Sequence, residues 1–157
     1  MQYSEKRMDL FTVSAEYALV HCISADFAMG AGIAKRFTAI GTKTAIIELC
    51  GKPVIDYNGH TDRWSGDGYC IPVIVKRNPS LRVYNLVTKE RYWEKPTLET
   101  MKSALEHLKG HIKANGQKKL AMPKIGCGLD RLEWPKVREI IQDVFKDTEI
   151  EILVCYQ

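Results

Sequence analysis

The chain has 157 residues, of which 45% are hydrophobic and 27% are charged, a balance typical of soluble globular proteins. This length predicts a single domain over residues 1–157 with one buried core, and the composition excludes a disordered chain. The formal net charge of +4 comes from lysines and arginines spread along the sequence, which favours an anionic ligand. No clustered basic and aromatic stretch occurs, which argues against a plain RNA-binding domain.

The cysteines and the first residues indicate in which cellular compartment the protein is expected. Five cysteines, widely spaced and without a C-x-x-C pair, are typical of reduced thiols inside the cell. The first residues lack the apolar centre of a signal peptide, and no apolar run approaches membrane-spanning length. We therefore expect an intracellular protein of the nucleus or the cytoplasm, without a membrane partner.

The first half of the chain contains a glycine loop between a strand and a helix. A nearly continuous apolar run from Tyr17 to Ile23 predicts an inner strand of a largely parallel sheet. The stretch from Gly30 to Lys35 that follows predicts a loop opening into a helix. It lacks the last glycine of the G-x-G-x-x-G fingerprint, so we reject a dinucleotide site of that type. A helix is predicted from Thr42 to Leu49, and the polar segment from Asp56 to Gly68 predicts an exposed loop without an assignable function.

The middle of the chain predicts a hairpin and a long helix. Tyr69 to Val75 and Leu81 to Val87 are typical of strands joined by a turn at Asn78-Pro79. From Thr97 to Asn115, apolar residues recur at helical spacing on one face, namely Leu98, Met101, Leu105, Leu108 and Ile112. Two histidines on this helix flank its apolar face, and no third ligand is near, so we expect no metal site.

A second glycine loop runs from Pro123 to Arg131. It lies between a predicted strand, Lys119 to Met122, and a predicted helix from Trp134 with Pro135 at its first turn. Gly126 and Gly128 allow the backbone to approach a ligand closely, and the loop amides can cradle an anion such as phosphate. The same residues could equally form a plain tight turn that Asp130 caps.

Strands and helices alternate along the chain, which ends in a strand predicted from Glu149 to Cys155. This order predicts an α/β fold with a mixed central sheet between layers of helices. In such folds the ligand crevice lies at the carboxyl ends of the strands. We therefore expect both glycine loops and Lys89 at one edge of the sheet.

Three motifs in this order resemble those of the macrodomain family, and within it the branch of terminal ADP-ribose protein glycohydrolases, also called O-acetyl-ADP-ribose deacetylases. The motifs are His21 to Ser24 leading into Met29 to Ala34, then Leu86 to Lys89, then Met122 to Leu132. The resemblance implies a three-layer α/β/α macrodomain that binds ADP-ribose and uses neither a metal nor a redox cofactor.

The resemblance also implies the binding residues. Asp9 would accept a hydrogen bond from the adenine amino group, with Leu10 beside it. The distal ribose would lie along Ser24, Gly30, Ala31, Gly32 and Ile33. The pyrophosphate would lie against the backbone of Lys124, Ile125, Gly126, Cys127, Gly128 and Leu129.

The chemistry of this branch is assigned to a lysine and an aspartate that match Lys89 and Asp130. As the resemblance implies it, the Lys89 amine attacks the anomeric carbon of the distal ribose and releases a glutamate or aspartate side chain. Asp130 serves as acid and base, and the lysyl-ribose adduct is then hydrolysed. A lysine attacks only as the neutral amine, whereas an ionised aspartate beside it favours the ammonium, so the two effects oppose each other.

The chain departs from the family pattern at three points. Met8 stands where a glycine is usual, the segment between Thr42 and Val75 is longer, and the loop from Gly59 to Gly68 is the expected insertion. Met29 occupies the place of the loop that activates water in another hydrolytic branch, which argues against that mechanism here.

The leading hypothesis is a monomeric enzyme that removes mono-ADP-ribose from glutamate and aspartate side chains, with O-acyl-ADP-ribose as a second substrate. One alternative is a non-catalytic reader of ADP-ribose or ADP-ribosylated proteins, and another is a hydrolase of ADP-ribosylated nucleic acid. Lys89 and Asp130 favour the enzyme, because a reader has no need of them.

Overall fold

The computed structural model describes residues 1–157. Six strands form one sheet: β1 (Gln2–Arg7), β2 (Ala18–Ser24), β3 (Tyr69–Val75), β4 (Leu81–Lys89), β5 (Lys119–Met122) and β6 (Glu151–Tyr156). Four helices pack on it: α1 (Gly32–Ala39), α2 (Thr42–Cys50), α3 (Leu98–Asn115) and α4 (Trp134–Phe145). The strand order is β1-β6-β5-β2-β4-β3, and every neighbouring pair is parallel except β3 and β4.

The helices cover the two faces of the sheet, each over its own apolar core. One core joins a sheet face to α3 and α4 through residues such as Leu105 and Ile141. The other joins the opposite face to α1 and α2 through Phe37 and Ile46. The predicted three-layer α/β/α architecture with a mixed sheet is therefore confirmed.

The predicted hairpin and long helix are present. β3 and β4 pair in antiparallel register from Tyr69 with Val87 to Val75 with Leu81. α3 begins after Thr97, whose hydroxyl accepts a hydrogen bond from the Thr100 amide, and it ends at Gly116 in a left-handed conformation. The predicted apolar face is the buried face of α3, because the sheet and α4 both pack on that side.

The first strand is absent from the sequence-based prediction. β1 is polar and mostly exposed, and it pairs only with β6 at the edge of the sheet. The side of β1 that faces α4 meets it through polar groups, with Glu5 accepting hydrogen bonds from Trp134 and Arg138, so hydrophobic pattern alone does not reveal this strand. A short 3-10 turn at Leu10–Thr12 then leads the chain toward β2.

The parallel strands bring the chemistry-bearing segments to one edge. β2, β4, β5 and β6 all run in the same direction, so the loops after them meet at their carboxyl ends. Ile23 pairs with Val87, but Ser24 pairs with Lys89, which leaves Thr88 as an extra residue in a bulge. The bulge therefore lies directly before Lys89, at the end of β4. None of the helices is long and apolar enough to cross a membrane.

Candidate active site

A cavity of about 910 Å³ opens at the carboxyl edge of the sheet. Its walls are the two predicted glycine loops, the ends of β2 and β4, and the segment that follows Lys89. The predicted site residues Ser24, Gly30–Ile33, Lys89 and Asp130 line it together with most of the second loop. The structure thus brings both glycine loops and the predicted catalytic pair into one space.

Lys89 and Asp130 form an ion pair within this cavity. The Lys89 Nζ donates to the Asp130 Oδ1 at 2.5 Å, and the side chains are only 13% and 16% exposed. Lys89 is held by the parallel sheet, whereas Asp130 comes from the loop before α4. An amine and a carboxylate in direct contact, shielded from most water, can exchange a proton without a further group.

Two thiols line the site but are not nucleophiles. Burial, together with the nearby Asp130 carboxylate, raises the pKa of the Cys22 thiol well above its usual range. Burial also raises the pKa of Cys127 to about 11. Because only the thiolate is strongly nucleophilic, both cysteines are inert at neutral pH. Apart from these thiols, the main cavity is lined by two lysine amines, those of Lys89 and Lys124.

The first glycine loop is fixed by the Asp26 carboxylate. Its Oδ1 accepts hydrogen bonds from the Ser24 hydroxyl at 2.5 Å and from the Ala28 amide at 3.1 Å. Its Oδ2 accepts from the Tyr92 amide at 2.9 Å, in the segment that follows Lys89. One carboxylate therefore joins both sides of the cavity. Because the Ser24 hydroxyl donates its hydrogen bond to Asp26, its oxygen is left to accept one from a ligand.

The second glycine loop depends on Gly126. Its φ is +73°, in the left-handed region, and a Cβ there would lie 2.7 Å from the Met101 Cε and 2.9 Å from the Leu132 Cδ1. The Leu132 amide donates to the Gly126 carbonyl at 2.7 Å and closes the loop. A side chain at position 126 is therefore excluded both by backbone conformation and by space.

Both loops present backbone amides without a partner in the chain. Gly30 and Ala31 of the first loop donate no hydrogen bond, and α1 begins directly after them. In the second loop the same is true of Ile125, Gly128, Leu129 and Asp130. Unpaired amides beside a helix N-terminus are a binding surface for an anion such as a phosphate group.

A smaller cavity of about 290 Å³ adjoins the first at Ile33, Lys124 and Gly128. Asp9 and Leu10 lie there, at the opposite end of the cleft from Lys89, as the resemblance implies. Hydrogen bonds from Arg36 to both carboxylate oxygens hold the pKa of Asp9 below its ordinary value. The Phe11 amide also donates to Asp9, at 3.0 Å.

Several lining residues are not among the predicted site residues. Arg36 lies on α1 and meets Asp9 only in the folded chain. Tyr156, at the end of β6, lies under the Lys124 ammonium at 4.5 Å and lines the smaller cavity. Tyr92 and Trp93 line the main cavity. Two aromatic residues soon after Lys89, and an aromatic residue directly after the last predicted strand, were the sequence signals available for these.

The two cavities together form a cleft with amides at its centre and an amine–carboxylate pair at one end. The fold and this cleft define an α/β protein whose site suits an elongated ligand with a central anionic group. No protein-family model matches the chain.

Curated and solved proteins identify the family. ADP-ribose glycohydrolase OARD1 of Bos taurus is 40% identical over 146 residues, which cover 93% of this chain and 86% of that protein. The macrodomain of Mycobacterium tuberculosis DarG has the same fold, with a TM-score of 0.80 at 20% identity over 99% of this chain and 98% of that one. A Trypanosoma brucei macrodomain, solved in complex with ADP-ribose, gives a TM-score of 0.70 at 9% identity and covers 99% of this chain and 64% of that one. The chain belongs to the macrodomain family.

Proposed function

We propose that this protein is a hydrolase that binds ADP-ribose in the cleft and releases it from glutamate and aspartate side chains of modified proteins. O-acyl-ADP-ribose, which carries a similar ester, is the second substrate class. The observation that carries the proposal is the Lys89–Asp130 pair, with Nζ and Oδ1 2.5 Å apart at the end of an amide-lined cleft. The sequence relative is named as an ADP-ribose glycohydrolase, which agrees with this assignment.

The cleft accommodates the parts of ADP-ribose in order. The adenine end occupies the smaller cavity beside Asp9 and Leu10. The pyrophosphate lies on the unpaired amides of the two glycine loops, where an anion is stabilised without many fixed cations. The distal ribose then lies between Ser24 and the Lys89–Asp130 pair.

In the proposed reaction, a bond forms between the Lys89 Nζ and the anomeric carbon of the distal ribose. The bond between that carbon and the ester oxygen breaks, and the acceptor leaves as a carboxylate. Asp130 takes the proton that the amine loses, which the 2.5 Å contact permits. Hydrolysis of the C–N bond adds the hydroxyl of water to the ribose and returns a proton to Lys89 through Asp130.

The test is release of ADP-ribose from a protein carrying one glutamate-linked ADP-ribose, combined with calorimetric titration of free ADP-ribose. We expect Lys89→Ala and Asp130→Asn to lower turnover about 10²-fold to 10⁴-fold, the range for losing such a group, while ADP-ribose binding persists. The matched controls are Lys109→Ala and Asp147→Asn, which break an exposed ion pair of 2.7 Å far from the cleft. These should leave turnover unchanged.

The assay also separates the alternatives. Tight ADP-ribose binding without turnover by the natural chain would make the protein a reader. Turnover of an ADP-ribosylated oligonucleotide but not of the protein substrate would make it a nucleic-acid hydrolase. Full activity in both Lys89→Ala and Asp130→Asn would overturn the proposed chemistry.

A further inference from the structure

The segment from Glu90 to Glu94 places two aromatic side chains at the mouth of the main cavity. Tyr92 and Trp93 both line the cavity and are 61% and 60% exposed. Their rings meet edge to face, with centroids 4.9 Å apart. They come three and four residues after Lys89 in the chain and line the same cavity as Lys89. Large aromatic side chains held half in solvent are typical of recognition surfaces.

The backbone beneath these rings is fixed although the rings are exposed. The Tyr92 amide donates to Asp26 at 2.9 Å, and the Arg91 amide donates to the Glu94 Oε1 at 2.7 Å. The Ala25 amide also donates to the Lys89 carbonyl at 2.9 Å, which continues the pairing of β2 with β4. A ligand that binds here therefore contacts a segment whose backbone is already ordered, and this lowers the entropic cost of binding.

The loop from Asp56 to Gly68, to which the sequence assigned no function, packs against the segment from Glu90 to Glu94. The Thr61 amide donates to Glu90 at 3.0 Å, and the Arg91 guanidinium donates to the Asn58 carbonyl at 3.2 Å. A Cβ added at Gly59 would lie 3.0 Å from the Trp93 ring, so the loop backbone packs against that ring. The loop thus packs against the Trp93 side chain and supports it.

Charges of both signs surround the aromatic pair, and the Arg91 guanidinium already lies 5.8 Å from the centroid of the Trp93 ring. Glu94 lines the cavity beside Trp93, and its Oε2 forms no hydrogen bond or ion pair. Arg91 is held at 3.6 Å from Glu90 and at 3.5 Å from Glu94, so two carboxylates face one guanidinium. Lys95, the next residue, does not line the cavity. The exposed parts of the Tyr92 and Trp93 rings, together with the unpaired oxygen of Glu94, can attract a second cation, whereas that oxygen would repel a phosphate.

We propose that Tyr92, Trp93 and Glu94 form a subsite for the acceptor polypeptide, which binds a lysine or arginine side chain close to the ADP-ribosylated carboxylate. This inference rests on the proposed function. The cationic head lies against the Tyr92 and Trp93 rings and meets the free oxygen of Glu94. The subsite gives the enzyme a preference among modified glutamates that its ADP-ribose contacts cannot supply.

The test uses synthetic peptides with one glutamate-linked ADP-ribose and a lysine placed in turn at the two positions before and after it. The reference peptides carry norleucine, which has a similar stem without the charge. We expect kcat/KM to be about 5-fold to 10-fold higher for lysine at one or more positions, within the usual range for a cation on aromatic rings. Trp93→Ala and Glu94→Gln should abolish that preference without changing the affinity for free ADP-ribose.

The control variant is Tyr57→Ala, since Tyr57 is 97% exposed on the supporting loop but does not line the cavity. It should keep the lysine preference. Equal kcat/KM for lysine and norleucine at every position, or a preference that survives in both variants, would overturn the subsite. A loss in Trp93→Ala that affects only ADP-ribosylated oligonucleotides would instead indicate base stacking and would also overturn it.

The two proposals fail separately in this experiment. If the natural chain hydrolyses none of the peptides, the proposed function is wrong. The dissociation constants of the same intact peptides, measured by calorimetry, then decide the subsite, because tighter binding of the lysine peptides does not require turnover.

Discussion

His21 is a buried histidine whose ring has a partner on only one nitrogen. Its Nε2 lies 2.6 Å from the Asn85 Oδ1, and Asn85 in turn donates to the Ile71 carbonyl at 2.9 Å, so His21 donates to Asn85. The ring stacks on Phe37 with centroids 3.8 Å apart, and the Nδ1 has no hydrogen-bond partner. Burial lowers the pKa of His21 to about 4 against the opposing effect of Asn85.

This environment predicts loss of stability in mild acid. The unfolded chain binds a proton at His21 near pH 6.5, whereas the folded chain resists it until about pH 4. The contribution of neutral His21 to the free energy of unfolding is therefore complete above pH 6.5. It is lost as the pH falls toward 4, which lowers the free energy of unfolding by about 3 kcal/mol. Urea titrations at pH 7 and pH 4.5 measure it.

The matched comparison is with His21→Gln, which can still donate to Asn85 but does not titrate. We expect a smaller loss of stability between the two pH values in His21→Gln than in the natural chain. His107→Gln, on the exposed side of α3, should behave like the natural chain. Equal pH dependence in all three proteins would show that His21 is not the responsible group.

At the scale of elements, the first turn of α3 packs directly on the chain before β3. A Cβ at the buried Gly68 would lie 1.9 Å from the Thr100 carbonyl oxygen and 3.0 Å from the Ala104 amide nitrogen. Both are backbone atoms of a helix, which cannot give way as a flexible side chain can. The glycine is therefore required by close approach of two elements.

We expect Gly68→Ala to lower the free energy of unfolding by about 3 kcal/mol, because the helix must move away from the sheet. Gly110→Ala in α3 is the contrasting variant, since a Cβ at position 110 would have no heavy atom within 4 Å. That variant should be more stable by about 1 kcal/mol, as alanine favours a helix over glycine. Denaturant titrations measure both, and a Gly68→Ala protein as stable as the natural chain would contradict the packing described.

Helices and strands could be predicted from the sequence where burial of one face gives their apolar residues a regular spacing. The apolar face of α3 follows from residues three and four apart, and it is buried as predicted, because the sheet covers one side of that helix only. β1 was not predictable, since pairing along an exposed edge leaves no hydrophobic pattern. The loop from Asp56 to Gly68 was correctly placed between elements, but its support of Trp93 depends on contacts between residues 29 and 33 positions apart.

At the scale of the whole molecule, function depends on parallel strands that end at one edge. The shared direction of most strands could be inferred from the alternation of strands and helices, and this placed Lys89 near both glycine loops. That Lys89 meets Asp130, 41 residues away in sequence, was implied only by the family resemblance. The Arg36–Asp9 pair carries no local signal, because it forms only when α1 packs beside the start of the sheet.

In the proposed reaction, the folded cleft holds the distal ribose beside the Lys89 amine, which attacks it. The most direct measurement is reduction with borohydride during turnover, since the lysyl-ribose adduct in its open-chain imine form is reduced to a stable amine. The account predicts one ADP-ribose retained by the protein and located on Lys89 by peptide mass spectrometry. It predicts no such adduct in Lys89→Arg or in denatured protein, and full trapping in Lys124→Ala, which removes the other lysine of the cavity. Turnover without any trapped adduct, or trapping on Lys124 instead of Lys89, would contradict the account.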